Sequence, residues 1–289
     1  MATRAASGLS QEIIIPHDQH GNVDWDALGR MSVEHILHEV TKVEVAERRH
    51  QNGETDGVET ENDWRYAYEK HNIVVFSKKL RGSPIKCFLG RGVVDAPVRA
   101  VGDFTGELQS TFTWDNTLVG VRCVKVIQKS TNCADYIWYQ LYESTNCLIK
   151  TRRDNLFFVR CIYADGKYVQ SAISVEHPDC PTLPAIKRIR VYSGSGWVME
   201  PYLGSDKKTL VTYLAHLDPI ELPAIISNRL IGRHPLAIHY LRLHLTHRPV
   251  VSSRPAPSTT KHSNGEVEVK LQSFEESSSC SEFIGDKYL

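Results

Sequence analysis

Thirteen histidines and seven cysteines are the side chains of this 289-residue chain best suited to metal or nucleophilic chemistry. His234, His239, His244 and His247 crowd the last helical stretch, and His35 and His38 fall on the first. A step of five residues turns a helical side chain by about 140°, so His234, His239 and His244 do not converge on one ion. His244 and His247 can share a face but lack a third ligand nearby, and solvated or helix-end histidines are the simpler account. The cysteines Cys87, Cys123, Cys133, Cys147, Cys161, Cys180 and Cys280 are odd in number and contain no C-x-x-C pair. This argues for reduced thiols rather than a zinc site or a disulfide framework. Cys123 or Cys161 as a nucleophile would need a paired histidine and an electropositive setting. The patterns G-x-S-x-G, H-E-x-x-H and G-x-x-x-x-G-K are absent. No catalytic residue, metal or cofactor is therefore expected. The alternative is an enzyme acting on a hydrophobic substrate, with His216, Asp218 and Tyr142 as acid and base groups.

The run Tyr136-Ile137-Trp138-Tyr139-Gln140-Leu141-Tyr142 carries a different chemistry. Apolar residues at nearly every position predict a strand covered on both faces. One face presents Tyr136, Trp138, Gln140 and Tyr142, a surface with polar handles suited to an internal cavity. The neighbouring strand offers Leu156, Phe158, Arg160 and Ile162 at alternating positions. A buried Arg160 needs a partner. Gln140 or a ligand oxygen would serve in a cavity, and an acid elsewhere would serve in a packed core; both arrangements satisfy it.

The elements that must position these residues follow from periodicity. VDWDALGRMSVEHILHEVTKVEVAERR places apolar residues at roughly 3.6-residue spacing, a helix that Asp24 can cap. Strand signals then dominate: IVVFSKKL and IKCFLGRGVV, then RCVKVIQK, ADYIWYQLYE, LFFVRCIYA and YVQSAISVE, then IKRIRVYSGSGWVMEPYL and KTLVTYLAHLD. A short helix interrupts them, with Pro97 as its first residue. Asp165-Gly166 reads as a tight turn. STNCLIKTRRDN reads as a longer loop. Gly194 and Gly196, inside a strand pattern, predict a bulge or the close approach of another backbone. ELPAIISNRLIGRHPLAIHYLRLHL reads as a terminal helix with a stripe of Ile226, Leu230, Ala237, Leu241 and Leu245, kinked at Gly232 and Pro235. The expected fold is α+β: a curved antiparallel sheet of about nine strands, with the terminal helix burying its stripe across the concave face.

These pieces resemble, in order, a START (steroidogenic acute regulatory protein-related lipid transfer) domain over about residues 24 to 245. The matching segments are DWRYAYEKHNIVVFSKKL with IKCFLGRGVVDAPV, the Trp-Asp pair in TFTWDNTLVGVRCVKVIQK, KTRRDNLFFVRC, SGSGWVMEP, KTLVTYLAHLDP and RHPLAIHYL. The resemblance implies a helix-grip fold and an intracellular lipid-binding or lipid-transfer role, without catalysis. One lipid would lie in a tunnel lined by Tyr136, Trp138, Gln140, Phe158, Arg160, Thr212, His216, Ile226 and Leu230. The terminal helix would gate it at Gly232 and Pro235. STNCLIKTRRDN falls where the family has a lid-forming loop, and Leu148, Ile149, Arg152 and Arg153 would suit a transient contact with an anionic membrane; an ordinary loop anchored to the core is the other reading. Sterol-carrying members pair the arginine of V-R-C with an acid where this chain has Gln140. With Arg160 not neutralised, a negative or strongly accepting headgroup is expected, drawn from phospholipid, ceramide-like, fatty acyl or, less readily, sterol ligands.

Lysine plus arginine and aspartate plus glutamate number 34 each, so no whole-chain field favours nucleic acid. Apolar residues make up 41%, enough for a sizeable core. The start has only a three-residue apolar run, Ile13 to Ile15, and no stretch approaches the roughly 20 apolar residues of a membrane span. A cytoplasmic chain, monomeric and at most peripheral at membranes, is expected. Residues 1–22 and the Ser/Pro-rich 247–289 are expected to stay unpacked around a lipid-binding domain at 23–246. A lipid-sensing regulatory module controlled through the latter segment is a further alternative.

Overall fold

The computed structural model describes residues 13–54, 63–146, 149–192 and 194–246, with two short segments beyond them. Helix α1 (Trp25–Gln51) starts where the sequence places it: Asp24 accepts a hydrogen bond from the Ala27 amide at 2.9 Å. Strands β1 (Arg65–Lys70), β2 (Ile73–Lys79) and β3 (Lys86–Val94) follow, then α2 (Val98–Gly106) and a 3-10 turn at Leu108–Thr113. Next come β4 (Leu118–Lys129), β5 (Cys133–Asn146), β6 (Ile149–Ala164) and β7 (Lys167–Ser174). The short β8 (Lys187–Arg188) and β9 (Arg190–Val191) precede β10 (Ser195–Pro201), β11 (Thr209–Ala215) and β12 (Leu217–Asp218). The main sheet runs β1-β2-β3-β11-β10-β7-β6-β5-β4, antiparallel throughout, with β8 added in parallel to β6.

Two sequence features that required special backbone are placed as expected. Asp165 and Gly166, both at positive φ, close the β6–β7 hairpin. Gly196 lies so close to β7 that a Cβ would stand 1.9 Å from the Gln170 carbonyl oxygen. The predicted long loop STNCLIKTRRDN, in contrast, is mostly strand. β5 extends to Asn146 and β6 begins at Ile149, with Ser144 facing Thr151 and Glu143 facing Arg152 in register. Thr145 and Thr151 are β-formers, so this polar stretch tolerates strand pairing. Strand β1 was not foreseen; His71 and Asn72, both at positive φ, turn it into β2.

The terminal helix is not one kinked rod. It splits into α3 (Ala224–Ile231), a 3-10 turn at His234–Leu236, and α4 (Ala237–Thr246). The break falls at Gly232 and Pro235, as the missing proline donor requires. Because the halves differ in phase, the expected stripe holds only in the second. Ala237, Ile238 and Leu241 are buried, whereas in α3 the inward residues are Ser227 and Ile231, and Ile226 and Leu230 point outward. Pro235 lies directly over Gly90, where a Cβ would approach its own Cβ to 2.5 Å. Gly92, two residues on, similarly admits Arg242 and Ile238.

The N-terminal segment packs further than its composition suggests. Ile13 and Ile15 join the cluster around Leu28, Phe158 and Val175. Residues 1–12 and most of 247–289 lie outside the described residues; within the latter, β13 (Thr259–Lys261) and β14 (Val267–Val269) pair antiparallel.

Candidate functional site

Side chains of a strand alternate between faces, and the register of β5 with β6 fixes which faces agree. Trp138 opposes Phe157, Gln140 opposes Asn155, and Asp135 opposes Arg160. The inner face therefore carries Tyr136, Trp138, Gln140 and Tyr142, continued by Phe157, Val159 and Cys161. It packs with α2 and α4 through Val101, Ile238 and Leu241. The outer face carries Asp135, Ile137, Phe158 and Arg160, and α1 covers it.

The predicted meeting of Gln140 and Arg160 is not formed, because the two side chains lie on opposite sides of the sheet. The Arg160 guanidinium binds the Asp135 carboxylate in bidentate fashion, at 2.8 and 2.6 Å, and reaches Asp26 of α1 at 3.1 Å. Gly29 makes room for it: a Cβ there would sit 2.3 Å from the guanidinium carbon. The acid that answers Arg160 is thus its cross-strand neighbour. The signal was present in sequence, since Asp135 precedes the aromatic set by one residue and so belongs to the other face. With Arg160 neutralised outside the cavity, the expectation of a negative headgroup drawn to it loses its basis.

Three more predicted lining residues also face α1. Phe158 stacks on Trp25, with ring centroids 5.5 Å apart. Thr212 opposes Arg91, which pairs with Glu47 at 2.7 Å and Glu44 at 3.5 Å on α1. His216 stacks on Tyr192, and burial, aided by Lys78 and His35, lowers its pKa to about 3. Next to it, Lys78 and the Trp64 indole both donate to Glu39 of α1. Tyr142 is across the sheet from His216, so the alternative acid-base set does not assemble. Cys123 and Cys161 line the inner face, where burial raises both thiols, Cys161 to about 12, away from thiolate chemistry.

Tyr142, Tyr213 and His234 are half-buried on the inner side, each within reach of the Asp115 carboxylate. Trp197 stacks on Tyr213 at 4.0 Å and meets Trp114 edge-on at 6.0 Å. A polar knot crosses this aromatic wall. The Tyr142 hydroxyl donates to Gln140 Oε1 at 2.6 Å, and Gln140 Nε2 donates to Thr111 Oγ1 at 3.3 Å. Desolvation pushes both tyrosines above their ordinary range and His234 below its own, so all three are neutral at pH 7. Thr111, Asn155, Tyr213 and His234 were missed at the sequence level, because only sheet curvature and register bring them together.

Leu148 lies outside the described residues, and of Ile149 only the strand backbone is described. Arg152 pairs with Glu143 at 2.9 Å, and Arg153 donates to the carbonyls of Pro219 and Ile220. The Gly232 carbonyl accepts from the Tyr68 hydroxyl. An open cleft of about 770 Å³ lies on the outer side, between Ile13, Val23 and residues 174–190. It holds none of the inner-face groups.

A long antiparallel sheet packed against a terminal helix defines a helix-grip protein. A family model for the START domain matches residues 44–234, about two thirds of the chain, and the chain belongs to that family. Solved structures agree on the fold. Human StAR-related lipid transfer protein 5 is 20% identical, covering 74% of this chain and 96% of its own, with a TM-score of 0.53. The human StarD13 (DLC2) lipid transfer and protein localization domain is 19% identical over 70% of this chain and 95% of its own, with a TM-score of 0.54. A STAR-related lipid transfer protein fragment from Xanthomonas axonopodis is 19% identical over 64% of this chain and 99% of its own, with a TM-score of 0.51. No curated protein matches the chain.

Proposed function

We propose that this chain binds one lipid in the internal space and carries it between membranes, without chemically changing it. The observation that supports this reading is the family match, together with an inner sheet face of Trp138, Trp197 and Tyr213 packed under the terminal segment. Each CH₂ moved out of water gains about 0.8 kcal/mol, so a dry aromatic tunnel holds an acyl chain tightly without any covalent or ionic anchor. The names of the structurally similar proteins, which describe lipid transfer, support the same reading.

Loading and release require the wall to open. The segment from Gly232 to Pro235, where the helical hydrogen-bond ladder is interrupted, is the mobile joint of this proposal. The outer side of α3 is the membrane-facing patch: Ile225 is 84% exposed, Ile226 and Leu230 are exposed beside it, and Arg229 and Arg233 flank them. Apolar groups next to cations suit an anionic lipid surface. No helix among the described residues is long and apolar enough to cross a membrane.

Native mass spectrometry of the purified chain tests the proposal. A retained adduct of lipid mass, lost on organic extraction, is the expected result. A chain that stays empty after incubation with mixed-lipid vesicles would overturn it.

A further inference from the structure

The chain enters its terminal segment through Pro219-Ile220-Glu221-Leu222-Pro223. Each proline has a fixed φ and steers the residue before it to extended backbone, so free rotation is confined to Ile220 and Glu221. Those two residues lie in the left-handed region, with φ of 47° and 60°. Among the described non-glycine residues at positive φ, Ile220 is the only β-branched one, and its side chain enters that region against a steric penalty. Such a conformation persists only where the surroundings impose it. Upstream, Leu217 and Asp218 are paired to β9, and Asp218 Oδ1 accepts from the Ile220 amide at 2.8 Å. From β6, the Arg153 guanidinium donates to the Pro219 carbonyl and, at 2.9 Å, to the Ile220 carbonyl. These carbonyls belong to the peptide units on either side of Ile220, so one side chain fixes both of its dihedrals. Arg153 is half-buried, with Glu221 and Asp218 close enough to favour its charge. Lys187 holds Glu221 at 3.0 Å, an exposed pair that contributes little. Downstream, α3 begins at Ala224, and the segment beyond it is seated on β3.

Resting on the lipid-carrier reading for its purpose, we infer that Ile220 and Glu221 form a strained pivot from which the whole terminal segment is raised, and that Arg153 is the clasp that holds this pivot closed. Return of the two residues to helical φ turns each by roughly 110–120° and re-aims the chain entering α3. With the clasp in place, that turn would tear both carbonyls from the guanidinium. Without it, the strain favours the raised segment. The break at Gly232 and Pro235 lets α4 bend relative to α3, whereas the pivot moves both together.

Hydrogen–deuterium exchange of the full chain, read peptide by peptide, tests this without any lipid. Helix α3 has eight residues, too few to persist in water once lifted, so raising the segment exposes its amides. Arg153→Leu should speed exchange across residues 224–246 by about tenfold and leave α1 and β10 unchanged. Ile220→Gly combined with Glu221→Gly removes the steric penalty and should slow that exchange by about threefold or more. Added to Arg153→Leu, the glycine pair should return exchange to within about threefold of the unmodified chain. Failure of that correction means that Arg153 only packs, and overturns the clasp. Unchanged exchange in Arg153→Leu overturns the inference, as does opening confined to α4 with α3 still protected. Faster exchange in the glycine pair alone also overturns it, and this variant decides the matter if Arg153→Leu does not fold. In transfer between fluorescently labelled vesicles, the glycine pair should be slower than the unmodified chain. Exchange that responds as expected in a chain that transfers no lipid would overturn the lipid-carrier reading and leave the pivot standing.

Discussion

The two faces of the same sheet solve the problem of buried polarity in opposite ways. On the outer face every featured cation is matched to acids: Arg160 to Asp135 and Asp26, Lys78 to Glu39, Arg91 to Glu44 and Glu47. These pairs tie α1 down along its length. The inner face holds amides, hydroxyls and aromatic rings, with the single carboxylate of Asp115 near Tyr142, Tyr213 and His234. The contrast teaches that paired charge ties α1 to the scaffold, whereas the inner side relies on aromatic packing and uncharged hydrogen bonds.

The comparison breaks most visibly at Asp135. Replacing it with alanine leaves Arg160 buried with only the half-exposed Asp26, a change expected to cost about 3–5 kcal/mol in urea unfolding. The double variant Asp135→Leu, Arg160→Met should recover most of that loss. A single substitution that costs under 1 kcal/mol would show that the outer pairs do not hold the scaffold.

The next effect is in pH. Burial depresses the His216 pKa, so the folded chain keeps it neutral down to about pH 3, whereas the unfolded chain protonates it near 6.5. Between these values the unfolded state binds the extra proton, and stability falls with falling pH by about 1.4 kcal/mol per unit from this group. Above pH 6.5 it contributes no slope. His35, also depressed by burial, adds in the same direction, while Glu39 and Lys78 face the same pocket. His216→Phe should flatten the profile measured by thermal unfolding between pH 6.5 and 4.

Smaller effects are expected inside. Tyr142→Phe removes one donor, the hydroxyl bound to Gln140, and keeps the ring, so it should cost about 1 kcal/mol. The same variant should lose retained lipid in native mass spectrometry. Smallest of all, Ile225→Ser on α3 should change stability by less than about 0.5 kcal/mol while slowing lipid transfer between fluorescently labelled vesicles. A large stability loss there would mean that the patch packs against protein.

Much of this arrangement was legible in sequence because it is local. The Asp24 cap, the Asp165-Gly166 turn, the Gly196 approach and the break at Gly232–Pro235 each follow from what one or two residues permit. The face occupied by Arg160 was not, because both alternating sets of β6 are apolar enough to line a core: Leu156, Phe158 and Ile162 on one side, Phe157, Val159 and Cys161 on the other. Only pairing with Asp135 decides between them. Likewise the i+4 run from Ile226 to Leu230 looks continuous with Ala237 and Leu241, but a helix that restarts after Pro235 restarts with a new phase. The meeting of Tyr142, Tyr213 and His234 depends on how far the sheet curls, and no spacing in the chain encodes that distance.

The placement of Pro235 over Gly90, with Arg242 and Ile238 over Gly92, limits how the terminal segment can travel. Two missing side chains, one strand pleat apart, form a notch in β3 into which that segment is seated. Sliding along the strand would drive Pro235 against a side-chain-bearing neighbour and meet a steric wall within one residue. Lifting off the sheet meets none, so the motion open to this segment is that of a latch raised from its slot rather than a bolt drawn along it.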